Sequence, residues 1–190
     1  VRAAWLMLDG ALVEMATGEG KTLPAALAAA AAALAGLPVH VLTADDYLVQ
    51  RDRDAMAPLF DLLGLRSARI TAALPRAARR AAWRHDIVYA TGRELVFDHL
   101  KDHVALRGER DARLLRARSL GGEAGGTEAA VLPPLRLALL DEADAILLDE
   151  ACIPFVLAGP GAAPDLPALE TARRLAAQLH PGDYRLLPQR

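Results

Sequence analysis

The sequence predicts an α/β domain: a parallel sheet with helices on both faces. Three observations predict it. Apolar runs recur at Val39–Thr43, Ile87–Thr91 and Leu135–Leu140, nearly unbroken, as strands covered on both sides are. Stretches with helical spacing lie between them, the alternation that a parallel sheet requires. A glycine-rich loop, Thr17–Thr22, stands between a strand-like run and a helical one, the context in which a backbone cradles phosphate.

The elements follow in order. Leu12–Met15 reads as a short strand that stops at the glycine loop. Thr22–Leu34 reads as a helix, with Pro24 in its first turn, where a missing N–H costs no bond, and with Gly36 and Pro38 ending it. The strand Val39–Thr43 is followed by an amphipathic helix over Asp45–Leu63, in which Leu48, Met56, Leu59, Phe60 and Leu63 recur near helical spacing and Gly64 stops the run. Leu65–Ile70 is a short strand, Pro75–Arg84 a basic helix, Ile87–Thr91 the third strong strand and Arg93–Lys101 a further helix. Arg107–Arg118 is charged and helical in pattern, with a surplus of arginine. Such runs are usually solvated faces, and contact with an anionic lipid surface is the alternative. Ser119–Thr127 has glycines and no periodicity, so it reads as a flexible loop. Leu135–Leu140 leads directly into Asp141-Glu142-Ala143-Asp144. After Pro154 the texture changes: Gly159, Pro160, Gly161, Pro164 and Pro167 mark a boundary, and a helix is expected over Pro167–Leu179.

The 190 residues leave room for one domain with a core plus a piece of another. A hydrophobic share of 53% excludes a disordered chain, and an aromatic share of only 4% makes the core rest on Leu, Val and Ala. The 22 basic and 24 acidic residues give a net charge of -2, which is no global footprint for nucleic acid. Cys152 is the single cysteine, so no internal disulfide forms; a cytosolic setting is the simplest reading, and Cys152 is expected as a small core residue. The longest apolar run, Leu23–Leu37, contains Pro24 and falls short of the roughly 20 apolar residues that span a bilayer. No signal-peptide pattern opens the chain, so any membrane contact is expected from the surface. His40 is expected to be packed on its strand. His85, His99, His103 and His180 show no metal spacing with Cys152, and no zinc site is predicted. The chain starts at Val1 without Met and reads as a fragment.

Two motifs carry chemistry. In Thr17-Gly18-Glu19-Gly20-Lys21-Thr22 the glycines let backbone N–H groups turn toward phosphate oxygens, and the helix after them adds positive potential. Lys21 is placed to reach the β and γ phosphates, and the Thr22 hydroxyl to ligate Mg²⁺. Met15 stands where the general pattern has glycine. A chance glycine turn is the bland alternative. At the carboxyl end of another strand, Asp141 is placed to hold Mg²⁺ and Glu142 to polarise the attacking water. Taken alone, that acidic pair fits an ordinary helix N-terminus equally well. The two motifs together favour an ATPase site, in which Lys21, Asp141 and Glu142 are catalytic and Thr17 to Thr22 bind the nucleotide.

These residues resemble a known family. Glu14 to Thr22 is similar to the phosphate loop of the SecA preprotein translocases, including the methionine. Val39 to Asp52, Tyr89 to Asp102, Leu139 to Pro160 and Pro181 to Tyr184 resemble its later motifs, so the likeness spares only the stretch between Ala105 and Pro134. Gly92-Arg93 stand where the family usually has two Asn, and Cys152-Ile153 where it has Arg and Thr; residues 119–127 look like an insertion. The resemblance implies a RecA-like P-loop NTPase fold over residues 1–153, the first nucleotide-binding, DEAD-like motor domain, lacking its upstream adenine-reading part. It implies a linker and the start of a preprotein cross-linking-type domain over 154–190. It implies ATP and Mg²⁺ as ligands and makes Arg51 a candidate nucleotide contact beside its reading as an ion-pair residue. The partners implied are an unfolded preprotein, a membrane translocation channel and a second motor domain that supplies an arginine finger, without which this part is expected to be nearly inactive. The implied location is cytoplasmic, peripheral to the inner membrane.

A superfamily 2 nucleic-acid helicase is the competing reading, because Asp141-Glu142-Ala143-Asp144 spells that superfamily's signature and Thr17 to Thr22 fits it too. Asp46-Tyr47-Leu48 and Ile146 to Pro160 favour the translocase, and the slightly acidic balance argues against nucleic acid as a partner. A non-catalytic nucleotide-binding scaffold is the third reading; Lys21, Thr22, Asp141 and Glu142, present together, argue against it.

Overall fold

The structure is a computed structural model that describes residues 1–16, 18–105, 130–157 and 166–180. Thr17, the expected helix 107–118, the expected loop 119–127, the boundary residues 159–164 and the motif at 181–184 lie outside the described residues.

Among the described residues four strands form one parallel sheet: β1 (Val39–Thr43), β2 (Ser67–Arg69), β3 (Ile87–Thr91) and β4 (Leu137–Leu140), in the spatial order β2-β3-β1-β4. Val41 of β1 sits between Tyr89 of β3 and Leu139 of β4. Helices α1 (Arg2–Leu8), α2 (Thr22–Leu34), α3 (Asp46–Leu62), α4 (Arg76–Ala82) and α5 (Gly92–Ala105) belong to the same compact unit, which ends at Phe155. A second unit runs from Val156 to Arg190 and contains α6 (Leu166–Gln178). The helices and strands expected from Thr22 to Leu140 occur with ends that differ by a few residues where the chain is described.

Side-chain alternation splits the core between the two faces of the sheet. Val39, Val41, Ile87, Tyr89 and Leu139 pack with α1, α2 and α3. Leu42, Val88 and Ala90 pack with Ala82 and Trp83 of the α4 end and with Val131, and Leu95, Leu140 and Ile146 join them. α2 has six buried alanines, Ala26, Ala28, Ala29, Ala30, Ala32 and Ala33, spread around the helix. Small side chains on every side suit a helix enclosed by neighbours, and α1, α3, β1 and β3 all touch it.

The second face is fastened by buried charge. Arg79 of α4 is 5% exposed and Asp98 of α5 is 2% exposed. Arg79 Nε donates to both Asp98 oxygens at 3.1 and 2.8 Å, and Trp83 Nε1 donates to Asp98 Oδ2 at 2.7 Å. Arg79 also donates to the Thr71 carbonyl at 2.9 Å and contacts Glu94 at 2.7 Å. Burial works against the guanidinium's charge, but the bonds to Asp98 and Glu94 outweigh it and raise its pKa. One helical turn on, the Asp102 carboxylate accepts from the backbone N–H groups of Val131 and Leu132 at 2.8 to 2.9 Å. That pins the chain where it returns toward β4.

Two expectations are corrected, and one helix is new. Leu12–Met15 is not a strand of the sheet. Its alternation survives, since Leu12 and Glu14 are exposed and Val13 and Met15 half-buried, but no strand pairs with it among the described residues, and four residues between a helix end and a glycine loop carry too few ladder bonds to form one alone. Cys152 is exposed rather than in the core, because it follows a π turn (Ala145–Asp149) that turns Leu147 and Leu148 outward with it. The helix α1 was not anticipated; its seven residues fall before any punctuating residue, and Ala4 alone is fully packed.

Candidate functional site

Topology fixes where the sequence motifs stand. β1, β3 and β4 run parallel, so Thr43, Thr91 and Leu140 all end at one edge of the sheet. α2 spans 13 residues and returns to β1 through the short loop 35–38, so it runs antiparallel to β1. Its length of roughly 20 Å, at 1.5 Å per residue, carries its N-terminus back to that same carboxyl edge. α3 starts three residues after β1, with Asp45 capping it by accepting from Leu48 N at 2.7 Å, and α5 starts directly after β3. The edge therefore gathers the starts of three helices and the acidic end of β4, as ligand sites of open α/β sheets do.

The glycine loop is built as the sequence requires. Gly18 has φ 88 and Gly20 φ 72, conformations that side chains resist, and a Cβ placed on either would meet nothing within 4 Å. Glycine is needed there for backbone shape, not for space. Glu19 is exposed, and its N–H donates to the Ala16 carbonyl at 3.3 Å. Lys21 is the N-cap residue of α2, with no side-chain cap, and Thr22 is the first residue of the helix; both are half-buried. Among the described residues Lys21 makes no ion pair, which leaves its ammonium available to a ligand.

At the far side of the edge, Asp141 N donates to the Leu42 carbonyl at 2.8 Å, which extends the β1–β4 ladder by one bond. Asp141 is half-buried, and its Oδ1 accepts from Glu142 N at 3.1 Å. Glu142 is exposed and has φ 55, a left-handed conformation that costs a side-chain-bearing residue about 1 kcal/mol. Strain of this kind persists where the surroundings over-determine it, commonly at functional sites. The π turn comes at once after it, and its Ile146 packs against the start of α5: a Cβ at Gly92 would lie 3.3 Å from Ile146 Cγ2.

Arg51, in the second turn of α3, bonds to its neighbour Asp52: Nε and Nη2 both lie 2.8 Å from Asp52 Oδ1. The hydrogen bond and charge of Asp52 raise the Arg51 pKa, with smaller contributions from Tyr47 and Asp141. Burial pushes the Tyr89 phenol well above its ordinary pKa, and the charges of Asp52 and Asp141 add to that. Asp141, Arg51, Asp52 and Tyr89 are thus electrostatic neighbours. Sequence reasoning singled out Arg51 and Asp141 but missed Asp52 and Tyr89. One signal was present: Asp52 interrupts the stripe Val49, Met56, Phe60 that α3 turns to the core.

The donor set suits a nucleotide with magnesium. Among the described residues no three His, Cys, Asp or Glu gather to hold an ion unaided. Magnesium does not need them, since it takes one or two carboxylates and completes its shell with phosphate and water. Asp141 and the Thr22 hydroxyl are the residues that would hold it.

A family model described as the SecA DEAD-like domain matches residues 1–184. The protein translocase subunit SecA 2 of Bordetella avium is 44% identical over 184 residues, covering 97% of this chain and 28% of that protein. The protein translocase subunit SecA 3 of Magnetococcus marinus is 42% identical over 189 residues, covering 98% of this chain and 28% of that protein. The chain therefore spans less than a third of these relatives' length. A solved structure of a hypothetical ATP-dependent RNA helicase from Sulfolobus tokodaii is similar at 19% identity and a TM-score of 0.46, covering 81% of this chain and 50% of that one.

Proposed function

The chain belongs to the SecA DEAD-like domain family, and from that membership we propose that it is the first nucleotide-binding half of an ATP-driven protein translocase. The reaction is ATP plus water to ADP plus phosphate. Gly18, Glu19 and Gly20, with Thr17, cradle the phosphates, Lys21 reaches the β and γ phosphates, and Arg51 meets them from the second turn of α3. Thr22 and Asp141 would hold Mg²⁺, which would neutralise charge on the phosphate oxygens. Glu142, whose backbone is left-handed at φ 55, orients the attacking water. The single observation that supports the reading most is the shared edge: the start of α2 and the end of β4 lie at one end of a parallel sheet.

The remaining assignments come from the family. The partners are an unfolded preprotein, a membrane translocation channel and a second motor domain of the longer chain. The protein works in the cytoplasm, at the inner membrane surface; no helix among the described residues is long and apolar enough to cross it. Residues 1–153 are the motor half, and residues 154–190 are a linker and the start of the next domain.

The test uses the full-length protein. Lys21→Ala abolishes productive nucleotide binding, and unchanged turnover refutes the site. Glu142→Gln keeps ATP bound while hydrolysis slows; full activity removes its water-orienting role. Stimulation of turnover by unfolded preprotein is the expected result, whereas stimulation by RNA or DNA alone establishes the helicase reading instead.

A further inference from the structure

Asp52 is a carboxylate in a place made for an apolar side chain. It is 4% exposed, on the buried stripe of α3. Its partner is its own neighbour, Arg51, whose side chain is 49% exposed. Arg53 and Asp54 pair in the same way at 3.1 Å, and what sets Asp52 apart from Asp54 is its burial. The long Arg51 side chain must fold back against the helix to lay Nε and Nη2 on a single oxygen, Oδ1.

The direction of that fold is informative. Tyr89 and Leu139 lie on the face of the sheet that α2 and α3 cover, and strand alternation carries Asp141 to the same face as Leu139. Asp52, under α3, raises the same phenol that Asp141 raises. Arg51, folded toward Asp52, feels the charge of Asp141. Arg51 stands in the second turn of α3, whose start lies at the edge where β1, β3 and β4 end, and helical side chains lean toward the N-terminus, so the guanidinium held on Asp52 is within reach of that edge. Nη1 takes no part in the bond to Asp52.

We propose that Asp52 is the positioning residue for Arg51, folding the guanidinium back so that its unused edge meets the terminal phosphate of a nucleotide bound between the glycine loop and Asp141. This inference rests on the nucleotide site proposed above. Asp52 touches no substrate; it acts through Arg51 alone. A charge-assisted contact to phosphate is strong and directional, and an arginine held by two of its nitrogens keeps that direction where a free one loses side-chain entropy on binding.

The experiment measures Mg-ATP and Mg-ADP dissociation constants on the full-length protein carrying Asp52→Asn, Arg51→Ala, both together, and Arg51→Lys. Asp52→Asn is expected to weaken ATP about tenfold and ADP far less, because only ATP carries the third phosphate. In the Arg51→Ala background the same substitution is expected to have no further effect on either ligand. A purely structural aspartate gives equal losses in the two backgrounds, or equal losses for ATP and ADP, and either result overturns the proposal. Arg51→Lys keeps the charge but lacks the fork that sits on Oδ1, so it should lose the preference for ATP as Arg51→Ala does. A lysine variant that binds like the wild type also overturns the proposal, and this arm remains decisive if Asp52→Asn fails to fold. Lys21→Ala, run beside these, separates the levels: ATP binding retained in that variant sinks the nucleotide site itself, whereas its loss together with additive Asp52 and Arg51 effects sinks the positioning role only.

Discussion

Replacing Asp98 by leucine removes the carboxylate that joins α4 to α5 and tests whether this buried pair fastens the second face of the sheet. Deleting one partner of a buried pair costs about 3–5 kcal/mol, because the other charge is left without its counter-ion. Two features of this site adjust that figure. Arg79 keeps Glu94 at 2.7 Å, a side chain only 14% exposed, so part of the charge remains compensated. Trp83 Nε1 loses its acceptor in a site where the ring is 0% exposed, and an orphaned buried donor costs about 1–3 kcal/mol. The two adjustments oppose each other, and the expected loss is about 4 kcal/mol. For a chain of this length each kcal/mol moves Tm by about 2–4 °C, so Tm falls by about 8–16 °C. Fluorescence reads the change directly, since Trp5 is 74% exposed and Trp83 fully buried: the buried component of the emission shifts to the red in one transition. Arg79→Met combined with Asp98→Leu removes both charges, and apolar replacement of a whole buried pair is often neutral. The double variant should regain part of the loss, short of full recovery because Trp83 still lacks an acceptor and Glu94 loses its counter-ion. A single variant that loses under about 1 kcal/mol, or a double variant whose losses merely add, refutes the claim that the pair is coupled and buried.

Asp102→Ala strips the acceptor from Val131 and Leu132 N–H and should cost about 2–4 kcal/mol, with amide exchange at those two positions accelerating before the rest of the sheet; uniform exchange contradicts a local clamp. His40 is 1% exposed, and burial lowers its pKa from 6.5. Below pH 6.5 the unfolded chain binds a proton there that the folded chain refuses, so stability falls with acid, by up to about 1.4 kcal/mol per pH unit until the lowered folded value is reached. His40→Phe, compared with the wild type in urea melts from pH 7.5 to 5, should flatten that slope, and equal slopes reject it. Glu142→Gly relieves a left-handed φ and should gain stability, by at most about 1 kcal/mol, while turnover of the full-length protein drops; a loss of stability shows that the conformation carries no strain.

Much of the fold was legible because strand and helix announce themselves by different periods. β1 and β3 are wholly buried five-residue runs, and α2 and α3 start and stop at residues with known preferences: Thr22 with Pro24, Asp45, Gly36 and Gly64. What escaped was decided by tertiary context. Leu12–Met15 has a strand's alternation, but only pairing makes a strand, and pairing leaves no mark within four residues. The glycine loop and the acidic strand end were both visible, since their chemistry depends on residue types in fixed order. That Asp98 and Asp102 both turn inward depends on Arg79 and on residues 131–132, thirty positions away for the second, and no local pattern in α5 announces it. The π turn after Asp144 has no sequence signature at all.

The polar groups buried outside the candidate site bear on it nonetheless. β4 is short, pairs among the described residues with β1 alone, and exposes Ala138, so its own ladder is a weak holder for Asp141. Two contacts compensate. Upstream, Asp102 ties down Val131 and Leu132 shortly before the strand begins. Downstream, Ile146 rests against Gly92, where the absence of a side chain lets the π turn approach α5. Both contacts reach α5, which Arg79 and Asp98 bind to α4 and which starts directly after β3. Asp141 is therefore registered against β3 through α5 as well as against β1 through the sheet. Tyr89, whose phenol senses Asp141, lies on β3 too. A stretch that carries no phosphate-binding chemistry, Tyr89 to Asp102, thus acts as the frame that sets where the acidic end of β4 stands. A shift of α5 would move Asp141 relative to Lys21 without touching either residue.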